Sequence, residues 1–418
     1  MKYSLIAIAL GAVTLLPLAA TANTPDPSLI KQGEYLARMG DCMACHSVAG
    51  KDDYAGGLPI TSPLGTIYST NITPDKQQGI GNFTEQQFAD AVRKGVLPDG
   101  RHLYPAMPYP DYAKISDQDI SALYHYFMQG VKPSAQQPAQ TDLRFPFNQR
   151  WGMALWNWAF VDSTPFKPLP EATEQVNRGA YLVESLGHCG SCHSPRGLAM
   201  NEKSVSSDAA SFISGGELNG WTVPSLRGIA RWSTQDIVDY LQTGRNSKAG
   251  VAGEMTSVVA HSTSYLTDSD AQAIAVYLKA LGGNPPVPAE DTQANRHTAD
   301  RLTAAQNLTA GERLYIDNCN ACHFVDGKGA PHAFPALDQA SIVNADNPTG
   351  LIHIILAGAQ LPSTAKSASA LKMPGFANRL TDSQVAELAT FIRQGWSNHA
   401  EAVTGQQVKE VRAQLTTP

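Results

Sequence analysis

The chain has 418 residues, of which 31 are Lys or Arg and 37 are Asp or Glu, giving a net charge of −6. That balance excludes the basic footprint of a nucleic-acid binder, and the length accommodates two or three domains. Six cysteines in an exported chain first suggest three disulfides, but their spacing argues for another use.

The first element is a leader. Lys2 gives a positive start, Leu5–Ala20 is uncharged and apolar, and Ala20-Thr21-Ala22 offers the small residues that a signal peptidase cuts behind. The run is short for a bilayer span and leads straight into Asn23-Thr24-Pro25-Asp26. A signal peptide over residues 1–22, cleaved near Ala22, is therefore expected. It implies a periplasmic chain whose membrane contact is peripheral or through a partner.

Unit one, residues 23–130, contains Gln32-Gly33-Glu34-Tyr35-Leu36 and then Cys42-Met43-Ala44-Cys45-His46. It ends in Ser116-Asp117-Gln118-Asp119, which has capping-box spacing, followed by Ile120, Leu123, Tyr124 and Phe127 at helical intervals. Residues 131–170 form a linker and an aromatic-rich strap holding Trp151, Trp156, Trp158, Phe160 and Phe166. Such aromatic density reads as packing between units one and two, with a docking surface for a protein or bilayer as the second reading.

Unit two, residues 171–283, repeats the order: Arg178-Gly179-Ala180-Tyr181-Leu182, then Cys189-Gly190-Ser191-Cys192-His193, then Thr267-Asp268-Ser269-Asp270 ahead of Ile274, Tyr277 and Leu278. A proline-rich linker spans 284–301. Unit three, residues 302–398, carries Gly311-Glu312-Arg313-Leu314-Tyr315, Cys319-Asn320-Ala321-Cys322-His323, and Thr381-Asp382-Ser383-Gln384 before Leu388, Phe391 and Ile392. Residues 399–418 form a polar tail of helical periodicity. The threefold recurrence marks a duplicated domain with two long helices per unit, one before the cysteines and one at the end; each glycine gives a site for close helix crossing. The predicted fold class is all-α.

Every cysteine belongs to a Cys-x-x-Cys-His triplet. A thioredoxin-like pair has no use for the trailing histidine, and three pairs more than a hundred residues apart cannot all be matched into zinc sites. Covalent c-type haem satisfies every feature. Two thiols three apart reach one edge of the porphyrin, and the next residue ligates the iron. Three covalently bound haem c groups are thus expected on Cys42 and Cys45, Cys189 and Cys192, and Cys319 and Cys322, with His46, His193 and His323 as iron ligands.

A haem that passes electrons needs its second axial position filled, and a thioether there raises the potential. Met107 follows His46 by 61 residues, Met255 follows His193 by 62, and Met373 follows His323 by 50. These three are the expected sixth ligands. Met200 stands too near His193 to cross to the opposite face, and Met128 belongs to a helix core. The remaining histidines read as loop, linker or helix residues. Asn71 and Thr73 in unit one and Arg227 in unit two are candidates for contact with haem propionates. No acid, base or nucleophile constellation is present, so no catalytic residue is expected.

The combined motifs, SPLGTIYSTNITPD, GIGNFTEQQF, YPAMPYPDY, YLVESLGHCGSCHSPRG and KMPGF with TDSQVAELATFIRQGW, resemble the tri-haem cytochrome c subunit of bacterial membrane-bound dehydrogenases. That resemblance covers essentially the whole mature chain. It implies three tandem class I cytochrome c domains and a relay of electrons from a larger catalytic subunit, a flavoprotein, quinoprotein or molybdenum enzyme, to ubiquinone or another acceptor. It also implies peripheral association with the inner membrane, and a small third subunit is compatible with it. A free-standing periplasmic carrier donating to a terminal oxidase is the rival function, and haem catalysis of peroxidase type is a third class.

Overall fold

The computed structural model describes residues 26–227, 229, 231–282 and 289–415, so the expected leader lies outside the described residues. Each unit is built on a leading and a closing helix. In unit one these are Pro27–Met39, with Pro27 at its first turn and Asp26 accepting from the Ser28 N–H, and Asp117–His125. In unit two they are Glu174–Glu184 and Asp268–Ala280, and in unit three Ala310–Asn318 and Asp382–Gln394. Strands are short hairpins, Pro59–Ser62 with Gly65–Tyr68, Gly216–Leu218 with Trp221–Val223, and Ala359–Gln360 with Lys372–Met373. The all-α expectation holds.

The two helices of each unit cross at the expected glycine. A Cβ on Gly33 would stand 2.0 Å from the Ala122 carbonyl oxygen, one on Gly179 2.0 Å from that of Ala273, and one on Gly311 2.4 Å from that of Glu387. In each case the residue four further on, Tyr126 just past the end of the first closing helix or Tyr277 or Phe391 within the other two, lies against the same spot. Backbone therefore meets backbone, which only a residue without a side chain allows.

Units one and two share one core. Leu36, Ile120, Leu123 and Phe127 are continuous with Leu182, Val183, Ile274 and Leu278; burying each such side chain is worth about 1.5–3 kcal/mol. Unit three has its own core of Tyr315, Leu351, Val385, Leu388, Ile392 and Trp396. It meets unit two through a small apolar cluster of Val251, Val259 and Leu361 and through main-chain bonds, with His332 N–H donating to the Asn246 carbonyl and Ala336 N–H to that of Lys248, while Trp221 packs tilted against His353 at 4.9 Å.

The connecting segments are more structured than linkers need be. Ser134 is buried, and its hydroxyl donates to Asp52 at 2.6 Å; Asp142–Leu143 adds a third strand beside Gly65–Tyr68. Residues Thr292–Ala304 form a helix capped by Asp291, and Asn295 donates from it to Asp338 at 2.8 Å. The tail helix Gly405–Leu415 clasps its own unit, burying Val408 and Val411 while Arg412 pairs with Asp382 at 2.7 Å.

Candidate haem sites

Each Cys-x-x-Cys-His triplet forms a single helical turn behind its leading helix: Cys42–His46, Gly190–His193 following Cys189, and Asn320–His323 following Cys319. All six thiols are free. Burial pushes the thiols of Cys42, Cys189 and Cys319 up to about 12 and those of Cys45 and Cys192 up to about 11. Burial in apolar surroundings favours the uncharged form of each of these five side chains.

The histidines share one device. His46 Nδ1 lies 2.6 Å from the Thr70 carbonyl oxygen, His193 Nδ1 2.8 Å from that of Pro224, and His323 Nδ1 2.9 Å from that of Pro335. A carbonyl only accepts, so Nδ1 carries the proton and Nε2 keeps its lone pair. Burial holds all three rings below the usual histidine range, favouring the neutral form a metal needs. The main chain repeats the arrangement. Gly56, Gly215 and Gly329, each at positive φ, donate their N–H to the carbonyls of His46, His193 and His323 at 2.7, 2.7 and 3.2 Å. Backbone on one side and a carbonyl on the other fix each ring's direction.

Units two and three open onto one continuous cavity of about 1290 Å³. Cys189, Cys192, His193 and Met255 line it from unit two, and Cys319, His323 and Met373 from unit three. Leu182, Leu226 and Ile237 from unit two and Ile355, Phe376 and Leu388 from unit three give it apolar walls, and charged residues such as Arg231, Lys328 and Asp346 also line it. Met255 opens the helix Met255–His261, and Met373 lies on the Lys372–Met373 strand. In unit one, Cys42 and Met107 both pack against the shared core, and the Met107 N–H is tied to the Tyr104 carbonyl at 3.2 Å. Neutral imidazole, adjacent thiols, a thioether and apolar walls are the donor set and surroundings that a covalent haem requires.

The attachment turns of units one and two lie close together. Asp41, ahead of Cys42, lines the unit-two cavity, and the Glu254 carboxylate acts on both Cys45 and Cys192. Around them runs a reciprocal pair of tyrosine bonds. Tyr35 of unit one donates to Asp270 of unit two at 2.6 Å, and Tyr181 of unit two donates to Asp119 of unit one at 2.5 Å.

Several of the singled-out residues make contacts within the protein. Asn71 donates to the carbonyls of Ser134 and Gln136 and accepts from Thr73, so both residues tie the first linker down. Arg227 donates to the carbonyls of Gly282, Ala209 and Phe212. His125 bonds the Ser121 carbonyl on its own helix, and His188 is packed edge-on against Tyr112. The strap helix Gly152–Phe160 does two things. Trp156 donates to the Ala199 carbonyl and Asn157 to the Lys94 carbonyl, fastening it to units two and one, while Trp151, Leu155 and Trp158 remain 70%, 62% and 87% exposed. The carbonyls of Thr70, Pro224 and Pro335 were missed in the sequence because no side-chain type marks a backbone acceptor.

Comparison with known proteins agrees with this geometry. The cytochrome c family matches residues 30–130, 176–282 and 308–396. The chain is 44% identical over all its length to the gluconate 2-dehydrogenase cytochrome c subunit of Pantoea cypripedii, covering 96% of that protein. It is 43% identical over 97% of its length to the cytochrome c subunit of alcohol dehydrogenase (quinone) from Gluconobacter oxydans, covering 87% of it. It is also 36% identical over 95% of its length to the fructose dehydrogenase cytochrome subunit of Gluconobacter japonicus, covering 85%. The chain belongs to the cytochrome c family, as a three-unit member akin to the electron-transferring cytochrome c subunits of bacterial dehydrogenases.

Proposed function

We propose that this chain is the tri-haem electron-transfer subunit of a periplasmic dehydrogenase. Three haem c groups are attached at Cys42 and Cys45, Cys189 and Cys192, and Cys319 and Cys322. The iron ligands are His46 with Met107, His193 with Met255, and His323 with Met373. Each haem supplies one-electron exchange between ferric and ferrous iron. The chain's own main-chain carbonyls hold the histidine rings in place, and the methionine thioethers would serve as the second protein ligand of each iron. A larger catalytic subunit, a flavoprotein, quinoprotein or molybdenum enzyme, oxidises an alcohol, sugar, sugar acid or aldehyde and feeds the relay, which discharges to ubiquinone or another respiratory acceptor.

The observation that carries this reading is the repeated bond from the histidine Nδ1 to a main-chain carbonyl, present in all three units. It is the outer support that a metal-ligating histidine uses. The relatives' names supply the dehydrogenase partner, and the exposed Trp151, Leu155 and Trp158 support a contact surface at the periplasmic face of the inner membrane. Among the described residues no helix is long and apolar enough to cross a membrane; in this reading attachment is peripheral.

The test is affinity purification of the tagged chain from solubilised membranes, with haem staining and identification of what copurifies. A larger cofactor-bearing subunit is expected, with three haems per chain that are low-spin as isolated. Recovery of this chain alone from membranes returns the free-standing carrier, and a high-spin haem before any treatment returns haem catalysis.

A further inference from the structure

Between units one and two lies a buried group of carboxyls that the relay itself does not use. Asp111 follows the Met107 loop of unit one and is completely buried; Glu202 comes from the loop behind the second attachment turn, with its side chain 4% exposed. The Ser191 hydroxyl, inside the Cys189-Gly190-Ser191-Cys192-His193 turn, stands 3.0 Å from Asp111 Oδ2 and 3.2 Å from Glu202 Oε1. With a single hydrogen it donates to one of them at a time. The other oxygens, Asp111 Oδ1 and Glu202 Oε2, are buried without any hydrogen-bond partner. Glu202 Oε2 lies over the attachment turn itself, 2.7 Å from where a Cβ on Gly190 would stand.

The surroundings are short of positive charge. Lys114 Nζ is held by Glu184 Oε2 at 3.3 Å and by the Val205 carbonyl, and Glu184 Oε1 also accepts from Tyr277 at 2.5 Å and from the Ser207 N–H at 3.1 Å. Arg196 is 3.9 Å from Glu202 Oε1 and donates to the carbonyls of Ser191 and Met200. The phenol of Tyr112, the residue after Asp111, is turned away to the Gly40 carbonyl, to which it donates. Three carboxyls, Asp111, Glu202 and Glu184, thus stand against two cations, Lys114 and Arg196. Two like charges held side by side in a buried site give the pair a raised affinity for a proton. Burial raises both Asp111 and Glu202 above the ordinary carboxylate range, and the Glu202 charge raises Asp111 further.

We infer that Asp111 and Glu202 are a proton-binding site wedged between the methionine loop of unit one and the attachment turn of unit two, which takes up a proton when the haem of unit two is reduced. The inference rests on the haem reading above. One electron arrives from the catalytic partner and one proton from solvent. An O–H bond forms on the carboxyl pair as the iron goes from ferric to ferrous, and both steps reverse when the electron moves on. The uptake keeps the net charge of the buried region constant, so it offsets the cost of adding an electron beside uncompensated carboxylates.

The test is a spectroelectrochemical titration of the whole purified protein from pH 5 to pH 9, on wild type, Asp111→Asn and Glu202→Gln. A pyridine haemochrome assay precedes it; a count short of three haems overturns the haem reading and this inference together. With three haems present, one potential is expected to fall as pH rises, approaching about 59 mV for each tenfold change in proton activity for one electron. Either substitution should flatten that dependence and leave the other two potentials in place. Redox-difference infrared spectra of the wild type give an independent readout, a protonated carboxyl band on reduction, should a variant fail to incorporate haem. Potentials independent of pH in the wild type, or a slope that survives both substitutions and so belongs to a propionate, overturn the inference.

Discussion

Tyr35 in the leading helix of unit one donates its phenolic hydrogen to Asp270 in the closing helix of unit two, at 2.6 Å. Tyr181 and Asp119 repeat the bond in the opposite direction at 2.5 Å. Each tyrosine oxygen also accepts from the N–H of the opposite helix cap, Thr267 at 3.4 Å and Ser116 at 3.1 Å. Arg178 and Gln32 brace the two carboxylates from within their own units. Units one and two are therefore related by an approximate dyad, and unit three, with Arg313 where the tyrosine would fall, stands outside it.

The first prediction concerns this dyad. Tyr35→Phe and Tyr181→Phe each delete a hydrogen bond to a charged acceptor, worth about 1.5–3 kcal/mol. Each variant should lose roughly that much in urea unfolding while keeping its haem spectrum. A loss under about 0.3 kcal/mol in both variants would show that the dyad contributes no stability.

Asp270 sets a pH dependence. Although burial opposes it, the hydrogen bonds from Arg178 and Tyr35 hold its carboxyl below the ordinary range. A group depressed in the folded state contributes stability that is present above its unfolded pKa and is lost as pH falls through the folded one. Stability should therefore decline on acidification below the ordinary carboxylate range. Asp270→Asn should be less stable at neutral pH and show a shallower acid decline; parallel curves for the two proteins would refute the assignment.

The sequence carried the local devices and not the distant ones. Gly33, Gly179 and Gly311 were legible because each sits at a fixed offset inside a repeated motif. Ser116 and Thr267 were legible as caps, but only their hydroxyl half forms as a box would have it. Asp119 and Asp270, at the return position, turn to the tyrosine of the other unit, whereas Thr381 and Gln384 close a full box. A spacing rule sees a helix turn and cannot see a neighbour 62 or 235 residues away. The same limit hid the three carbonyl acceptors and the helix Thr292–Ala304, whose Asp291 cap follows a proline-rich run that reads as linker.

The crossing glycines yield a third prediction. A methyl group at Gly33 or Gly179 would stand 2.0 Å from a backbone carbonyl oxygen, which can move only if its helix moves. Gly33→Ala or Gly179→Ala should cost at least about 1–3 kcal/mol, the range for overpacking, and reduce haem incorporation in that unit. Gly152→Ala, where nothing lies within 4 Å, is the control and should be neutral. Equal stability of Gly33→Ala and wild type by far-ultraviolet circular dichroism in urea would contradict the crossing.

The fourth prediction tests the sixth ligands one at a time. Met255 lines the same cavity as His193, whereas Met200, the other methionine of unit two, is 62% exposed and carries its carbonyl towards Arg196. Removing a thioether from the iron leaves a coordination position open to small ligands and withdraws the ligand that favours ferrous haem. Met255→Ala should therefore convert one haem of three to a high-spin, carbon monoxide-binding form and lower its potential, with the other two unchanged. Met107→Ala and Met373→Ala should do the same for their own haems, and Met200→Ala should change neither spectrum nor potential. Because each substitution opens one site, the three variants also assign the three potentials to their units. Carbon monoxide binding by one third of the haem in Met200→Ala, and none in Met255→Ala, would reverse the ligand assignment in unit two.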